Sequence, residues 1–295
     1  MNAYLTIAAP PSRPLTEADL SKAQAALAAA GAETGSPIWL EPGRAADIPF
    51  DAADPAGLRA ELSFDGLDWA VTCQGARRKA VLVADMDSTM IEIETLDTLA
   101  AELGLGEAVA EITNRSMNGE LDFAAALRER VAMLAGYPAA HAIQTVMDRV
   151  TYTPGGKVAV ATMRANGAYC ALVSGGFTFT TETVHAALGF HEHRANVLEI
   201  ADGKLTGTVA EPIVARDTKL ITVRELCERQ GVGLEDACTV GDGANDLDML
   251  RATGLGVAYY GKPIVRAAAS FRIDHTDLST LLFYQGYSRD EFVGA

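Results

Sequence analysis

The chain has 295 residues, 49% hydrophobic and 21% charged, which suits one large or two modest soluble domains. Twenty-four Lys and Arg against thirty-nine Asp and Glu leave a formal net charge of −15, which repels phosphate backbones and anionic membrane surfaces and excludes nucleic acid and membrane as first expectations. An anionic substrate would need a metal or a local cluster of donors to overcome that field.

Residues 4–9 read as a strand, followed by a helix opened by Thr16 and Glu17 and running to Ala30. Strands follow at 38–41 and 48–50, then a second helix at 55–62 and a strand at 69–73. The order βαββαβ defines a small α+β domain over residues 1–75. Residues 74–79 carry Gly75 and the basic run Arg77-Arg78-Lys79 before an abrupt apolar stretch, so a boundary falls there and a second domain covers 76–295.

From residue 80 the pattern is buried strand, turn, helix, with strands at 81–84, 168–173, 237–240 and 255–259. Runs apolar on both faces, separated by helices, imply a Rossmann-like α/β fold: a parallel sheet with helices on both sides. More than eighty residues separate the first two strands, and 91–150 is almost wholly helical in pattern. That stretch reads as a helical cap inserted after the first strand.

Nothing approaches the ~20 apolar residues of a membrane span, and the first nine residues lack the basic start of a signal peptide. Cys73, Cys170, Cys227 and Cys238 form no C-x-x-C pair, and three fall in stretches that read as buried strand or helix. A reduced cytosolic chain is expected.

Open α/β sheets bind ligands outside the carboxyl ends of their strands. The first strand ends in Asp85-Met86-Asp87-Ser88-Thr89 and the second in Ser174-Gly175-Gly176, while Gly241-Asp242-Gly243-Ala244-Asn245-Asp246 stands between the third and fourth. Asp85 and Asp87, two apart on extended chain, point to one side. One suits a nucleophile and the other an acid that protonates a leaving oxygen. Asp242 would complete an oxygen-rich site for a hard cation such as Mg²⁺. Ser174, the N–H of Gly175 and the Lys219 ammonium are donors suited to phosphoryl oxygens. In the expected cap, Phe123 and Arg130 are seven apart and share a face separate from the core stripe Leu121, Ala124, Leu127, Val131 and Leu134. They could close over a zwitterion, with Arg130 on a carboxylate and Glu94 on an ammonium.

Other motifs fail on spacing. An EF-hand from Asp85 would meet Met90 where glycine is required. Gly241-x-Gly243 lacks the third glycine of a dinucleotide loop. Pro154-Gly155-Gly156-Lys157 is a turn opening a helix rather than a P-loop, and His191-x-His193 reads as a solvated hairpin rather than a zinc site.

Taken together, these residues resemble the four motifs of the haloacid dehalogenase-like hydrolases, at Asp85 to Thr89, Ser174, Lys219 and Gly241 to Asp246. From about residue 80 onward the chain is similar to the phosphoserine phosphatase family, whose further pattern is matched by Glu94, Met117, Phe123, Arg130 and Lys262-Pro263. The resemblance implies hydrolysis of O-phospho-L-serine to L-serine and phosphate, the last step of serine biosynthesis. It implies Asp85 as nucleophile and Asp87 as acid and base. It further implies Mg²⁺ held by Asp85, Asp242 and the backbone carbonyl of Asp87, with Glu94, Met117, Phe123, Arg130, Ser174, Gly175, Lys219 and Asn245 on the substrate and Asp246 supporting the shell. Asp at position 87 separates the chain from the superfamily's transport ATPases, which carry Thr there, and from dehalogenases, which lack an acid. A phosphatase of another small phosphomonoester, a phosphate-transferring relative and an amino-acid-sensing regulator with a vestigial phosphatase half stay open as alternatives.

Residues 1 to about 75 resemble the small ligand-binding ACT domains attached to amino-acid enzymes. Such domains place a glycine after the first strand, whereas this chain has Pro10-Pro11-Ser12-Arg13-Pro14 and no glycine before Gly31. The segment is therefore expected to pack on the catalytic domain or to pair two copies into a homodimer, covering its exposed sheet.

Overall fold

The architecture comes from a computed structural model that describes residues 1–117 and 120–294. The first sheet uses β1 (Ala3–Ala8), β2 (Glu33–Thr34), β3 (Ile38–Glu41), β4 (Ala45–Asp51) and β5 (Asp68–Cys73), with α1 (Glu17–Ala29) after β1. It is antiparallel, ordered β2-β4-β1-β5, with β3 also on β4. Thr16 and Asp19 close a reciprocal capping box at the start of α1. That helix then presents Leu20, Ala23 and Leu27 at helical spacing to the same core as Leu5, Ile7, Ile48 and Phe50. The second expected helix is instead a five-residue 3-10 turn, Gly57–Glu61. Asp54 accepts the Gly57 N–H at 3.0 Å, so a side chain closes the turn where a helix would need backbone carbonyls.

Alternation in β6 (Val81–Ala84) splits the second core in two. Leu82 and Ala84 join one apolar cluster and Val81 and Val83 the cluster on the other face. The cap follows as α2 (Thr95–Glu102), α3 (Gly106–Met117), α4 (Phe123–Ala132) and α5 (Ala139–Met147). The chain re-enters the body through α6 (Gly156–Ala165), β7 (Tyr169–Phe177), α7 (Thr178–Leu188) and β8 (Glu192–Asn196). A hairpin of β9 (Leu198–Ala201) and β10 (Lys204–Val209) precedes α8 (Arg216–Gln230) and β11 (Ala237–Gly241). The last elements are α9 (Leu247–Ala252), β12 (Leu255–Tyr259), α10 (Pro263–Ala268), β13 (Phe271–Ile273) and α11 (Thr280–Tyr284). The second sheet is parallel throughout, ordered β13-β12-β11-β6-β7-β8, which puts β6 beside both β7 and β11.

Two expectations need correction. His191-x-His193 is no solvated hairpin: His193 lies in β8, the parallel edge strand, with its Nδ1 2.9 Å from Thr181 Oγ1, while His191 Nδ1 accepts the Cys170 N–H at 3.0 Å. In α4 the stripe shifts, because Leu121 and Ala124 are only half-buried and Ala126 joins Leu127 and Val131 in the interior. The cap rests on a two-stranded stem, since Ile91 bridges Tyr152 and the Thr153 N–H reaches the Met90 carbonyl at 3.1 Å. Its far side is tied to β10, where Leu205 exchanges backbone bonds with Gly136 and Tyr137.

The two sheets meet across a mixed surface. Ala8, Leu40 and Ala45 pack on Phe283 and Phe292. Beside them Arg77 donates to both oxygens of Asp47 at 2.6 Å, to Thr6 Oγ1 at 2.8 Å and to Thr72 Oγ1 at 3.1 Å, and lies over the Tyr4 ring. The basic run at 77–79 is therefore a staple rather than a loose linker: Arg78 pairs with Glu291, and the Lys79 ammonium donates to the Glu235 carbonyl.

Candidate active site

Asp85 follows β6 directly, and its N–H still bonds the Val240 carbonyl of the neighbouring strand at 3.0 Å. The backbone then turns sharply. Met86 accepts the N–H groups of Thr89, Met90 and Ile91, and Ser88 takes a left-handed φ of 52°. This turn places Asp85 and Asp87 on one cavity of about 320 Å³ between the strand ends and the cap. Glu94, Phe123, Arg130, Ser174, Gly175, Asp242 and Asn245 line the same cavity. Nine of the residues singled out from sequence are thus brought together, Asp85 and Asp87 included. Met117 ends α3, and its side chain lies outside the described residues.

Lys219 stands behind the cavity wall. Its ammonium is fully buried and lies 2.8 Å from Asp85 Oδ1 and 2.6 Å from Asp246 Oδ1. Burial opposes its charge, but the two carboxylates outweigh that and raise its pKa. Oδ1 of Asp85 also accepts the Met86 N–H at 2.8 Å, which leaves Oδ2 free of these partners. Asp246 spends its second oxygen on the Gly243 N–H at 3.0 Å. The neighbouring Gly241 must be glycine, because a Cβ there would sit 2.3 Å from the Asp246 carboxyl carbon.

Five acids share this space with too little positive charge. Asp87 is held well above the ordinary carboxylate range by burial and by Glu94 and Asp85, even though Thr95 Oγ1 donates to it at 2.5 Å. Burial pushes Glu94 up to about 7 against a 2.6 Å hydrogen bond from Ser88. Asp246 rises to about 7, and Asp242 is raised well above its usual value by burial and by the charges of Glu94, Asp85 and Asp246. Carboxylates of Asp85, Asp242 and Asp246 come within 4.8 Å of one another, and Asp242 Oδ2 is buried with no hydrogen-bond partner. A buried carboxylate oxygen without a hydrogen bond, crowded by like charges and with the Lys262 ammonium 4.0 Å away, fits a hard divalent cation. Because both Asp246 oxygens are already engaged, Asp85 and Asp242 are the carboxylates with capacity left for it.

Opposite the acids, α4 presents Phe123 and Arg130. Arg130 is 6% exposed, not a surface residue. Phe123 rests on Gly175, where a Cβ would come within 2.5 Å of the ring. Ser174 Oγ accepts the Gly176 N–H at 2.8 Å, so its proton remains available to a ligand. Behind that loop Asn196 donates to the Gly175 carbonyl at 2.8 Å and accepts the Val214 N–H at 2.7 Å. Thr95, Thr113, Ser116 and Asn196 were not singled out from sequence. The signals available for the first two were position alone: Thr95 directly follows Glu94, and Thr113 lies one helical turn, four residues, before Met117.

A family model described as haloacid dehalogenase-like hydrolase matches residues 82–251. The chain is similar to the phosphoserine phosphatase of Streptomyces coelicolor, with 40% identity over 287 residues covering 93% of this chain and 70% of the relative. Among solved structures it is similar to a haloacid dehalogenase family hydrolase of Salmonella enterica serovar Typhi, with a TM-score of 0.81, 29% identity and coverage of 99% of this chain and 100% of that one. It is also similar to a phospho-aspartyl intermediate analogue of a phosphoserine phosphatase, with a TM-score of 0.67, 35% identity and coverage of 70% and 99%.

Proposed function

The chain belongs to the phosphoserine phosphatase family of haloacid dehalogenase-like hydrolases, and from that membership we propose that it hydrolyses O-phospho-L-serine to L-serine and phosphate. The observation that carries the substrate is the shared cavity. Asp85 and Asp87 stand at one side, with Arg130 and Glu94 available for the carboxylate and ammonium of an amino acid.

In this reading the Asp85 carboxylate attacks phosphorus while the bond to the serine oxygen breaks. Asp87, kept protonated by its burial and acidic neighbours, gives its proton to that oxygen. Asp87 then takes a proton from water as the water oxygen attacks the aspartyl phosphate and Asp85 is released. Thr95 holds Asp87 in place. Lys219 fixes Asp85 Oδ1 and keeps a positive charge beside the nucleophile, so its action on phosphate is exerted through Asp85. The Ser174 hydroxyl and the loop at Gly175 offer donors to the phosphoryl oxygens. Mg²⁺, held by Asp85, Asp242 and the Asp87 carbonyl, would supply the positive charge that lets two anions approach. Asn245 reaches the substrate, and Asp246 braces Lys219.

The test is phosphate release from phosphoserine and from phenyl phosphate, each with Mg²⁺ and with EDTA. Replacing Arg130 by Ala should cost the first substrate about 2 to 5 kcal/mol of binding and the second little. Equal losses, or full turnover in EDTA, would overturn the reading.

For residues 1–75 we propose a packing role. The face of their sheet that carries Ala8 and Ala45 is covered within the same chain by Phe283 and Phe292, so pairing of two copies would fall to a sheet edge. A chain starting at Ala76 should keep turnover and melt at lower temperature. Loss of chemistry, or saturable L-serine binding by the full chain that the shortened one lacks, would reject a packing role. Among the described residues no helix is long and apolar enough to cross a membrane, and Cys73, Cys170, Cys227 and Cys238 are all free thiols.

A further inference from the structure

Arg130 has five guanidinium N–H groups to place. Its Nε donates to the Ala126 carbonyl one turn back at 3.2 Å, and Nη1 donates to Thr113 Oγ1 at 2.8 Å. Thr113 in turn gives its hydroxyl proton to Asp97 Oδ1 at 2.5 Å, with the Val109 carbonyl a second acceptor at 3.0 Å. Three helices meet in this chain: Asp97 on α2, Thr113 on α3 and Arg130 on α4. Thr113 is 2% exposed, so no water can easily replace its bonds.

We propose that Asp97 and Thr113 are positioning residues that set the Arg130 fork for a carboxylate-bearing substrate. This rests on the reading of Arg130 as the carboxylate clamp. Two of the five N–H groups are spent on the protein, leaving one on Nη1 and two on Nη2. Those three form the end-on edge that matches the two oxygens of a carboxylate. Thr113 also stands between two opposite charges. Without its hydroxyl, Arg130 could pair directly with Asp97, and the fork would be turned away from the ligand. A neutral hydroxyl acceptor holds the guanidinium in place of a direct ion pair with Asp97, which keeps its end-on edge open to a ligand. Asp97 polarises that hydroxyl and makes it a better acceptor.

The test compares phosphoserine with phenyl phosphate, which has no carboxylate, in Thr113→Val, Thr113→Ser, Asp97→Asn and Arg130→Ala. Thr113→Val should raise KM for phosphoserine roughly 10- to 100-fold with kcat within about threefold, and should leave KM for phenyl phosphate within about threefold. Thr113→Ser, which keeps the hydroxyl, should return phosphoserine KM to within about threefold of the parent. Asp97→Asn should show the same selectivity at smaller size, and it carries the test if Thr113→Val cannot turn over phenyl phosphate. Selective loss in Arg130→Ala together with equal losses on both substrates, or none, in Thr113→Val and Asp97→Asn would overturn the positioning and leave the clamp standing. Equal losses on both substrates in Arg130→Ala would overturn the clamp and the positioning with it.

Discussion

Two groups of buried charges in this chain differ in how completely they are satisfied. Between the sheets, Arg77 meets both oxygens of Asp47 and the hydroxyls of Thr6 and Thr72. At the ends of β6 and β11, Asp85, Asp87, Asp242 and Asp246 crowd together with one buried lysine among them, and Asp242 Oδ2 has no hydrogen bond, only the Lys262 ammonium 4.0 Å away. A closed network of bonds is what stability selects. Like charges held at close range make sense only where a ligand completes them, so the incomplete group marks the site.

The largest effect should come from the incomplete group. Replacing Asp85 by Asn should lower turnover by roughly four orders of magnitude, because an amide is a poor nucleophile. The melting temperature should shift little beside that loss. Phosphate release and calorimetry on the same sample, with mass spectrometry to exclude deamidation, check both halves.

The reverse pattern is expected at the closed group. Arg77→Ala leaves Asp47, with a side chain 4% exposed, without its cation and should cost about 3 to 5 kcal/mol of stability. Turnover per folded molecule should stay within about twofold. A loss of kcat in the folded fraction would show that the interface reaches the site, and the contrast between the groups would fail.

The same contrast governs what could be read from the chain alone. Asp85, Ser174 and Asp242 were legible because each follows an apolar strand, and a parallel sheet collects such ends at one edge. Thr113 and Asn196 were not, since a single Thr in a helix or Asn in a strand has many structural uses and no spacing of its own. The strand Glu192–Asn196 escaped because its five residues, mostly polar and half-exposed at a sheet edge, carry no apolar alternation. The 3-10 turn at Gly57–Glu61 carried an apolar pattern compatible with a helix, and a local bond from Asp54 decided otherwise. Arg77 was visible as part of a basic run, but its partners lie 30 and 71 residues away at Asp47 and Thr6, a distance that no local pattern encodes.

The smallest effect concerns the incomplete group without its cation. In the metal-free protein Glu94 and Asp246 titrate at about 7, above their ordinary 4.5 and 3.8. Their folded forms therefore hold protons that the unfolded chain has released, and stability from these groups is present at low pH and lost as pH rises toward 7. A divalent cation binding Asp85 and Asp242 should offset the crowding, so Mg²⁺ at about a hundred times its dissociation constant should add about 2.7 kcal/mol. The gain should be larger at pH 7.5 than at pH 5.5, where protons compete for the same oxygens. Replacing Asp242 by Asn removes the carboxylate oxygen that has no hydrogen bond. The metal-free variant should then melt at or above the parent, while its response to Mg²⁺ disappears. Melting curves of both proteins in EDTA and in Mg²⁺ at the two pH values decide this. An Asp242→Asn protein that still gained stability from Mg²⁺ would place the cation elsewhere, and a metal-free parent that became more stable between pH 5.5 and 7.5 would mean that the acids are better compensated than their spacing implies.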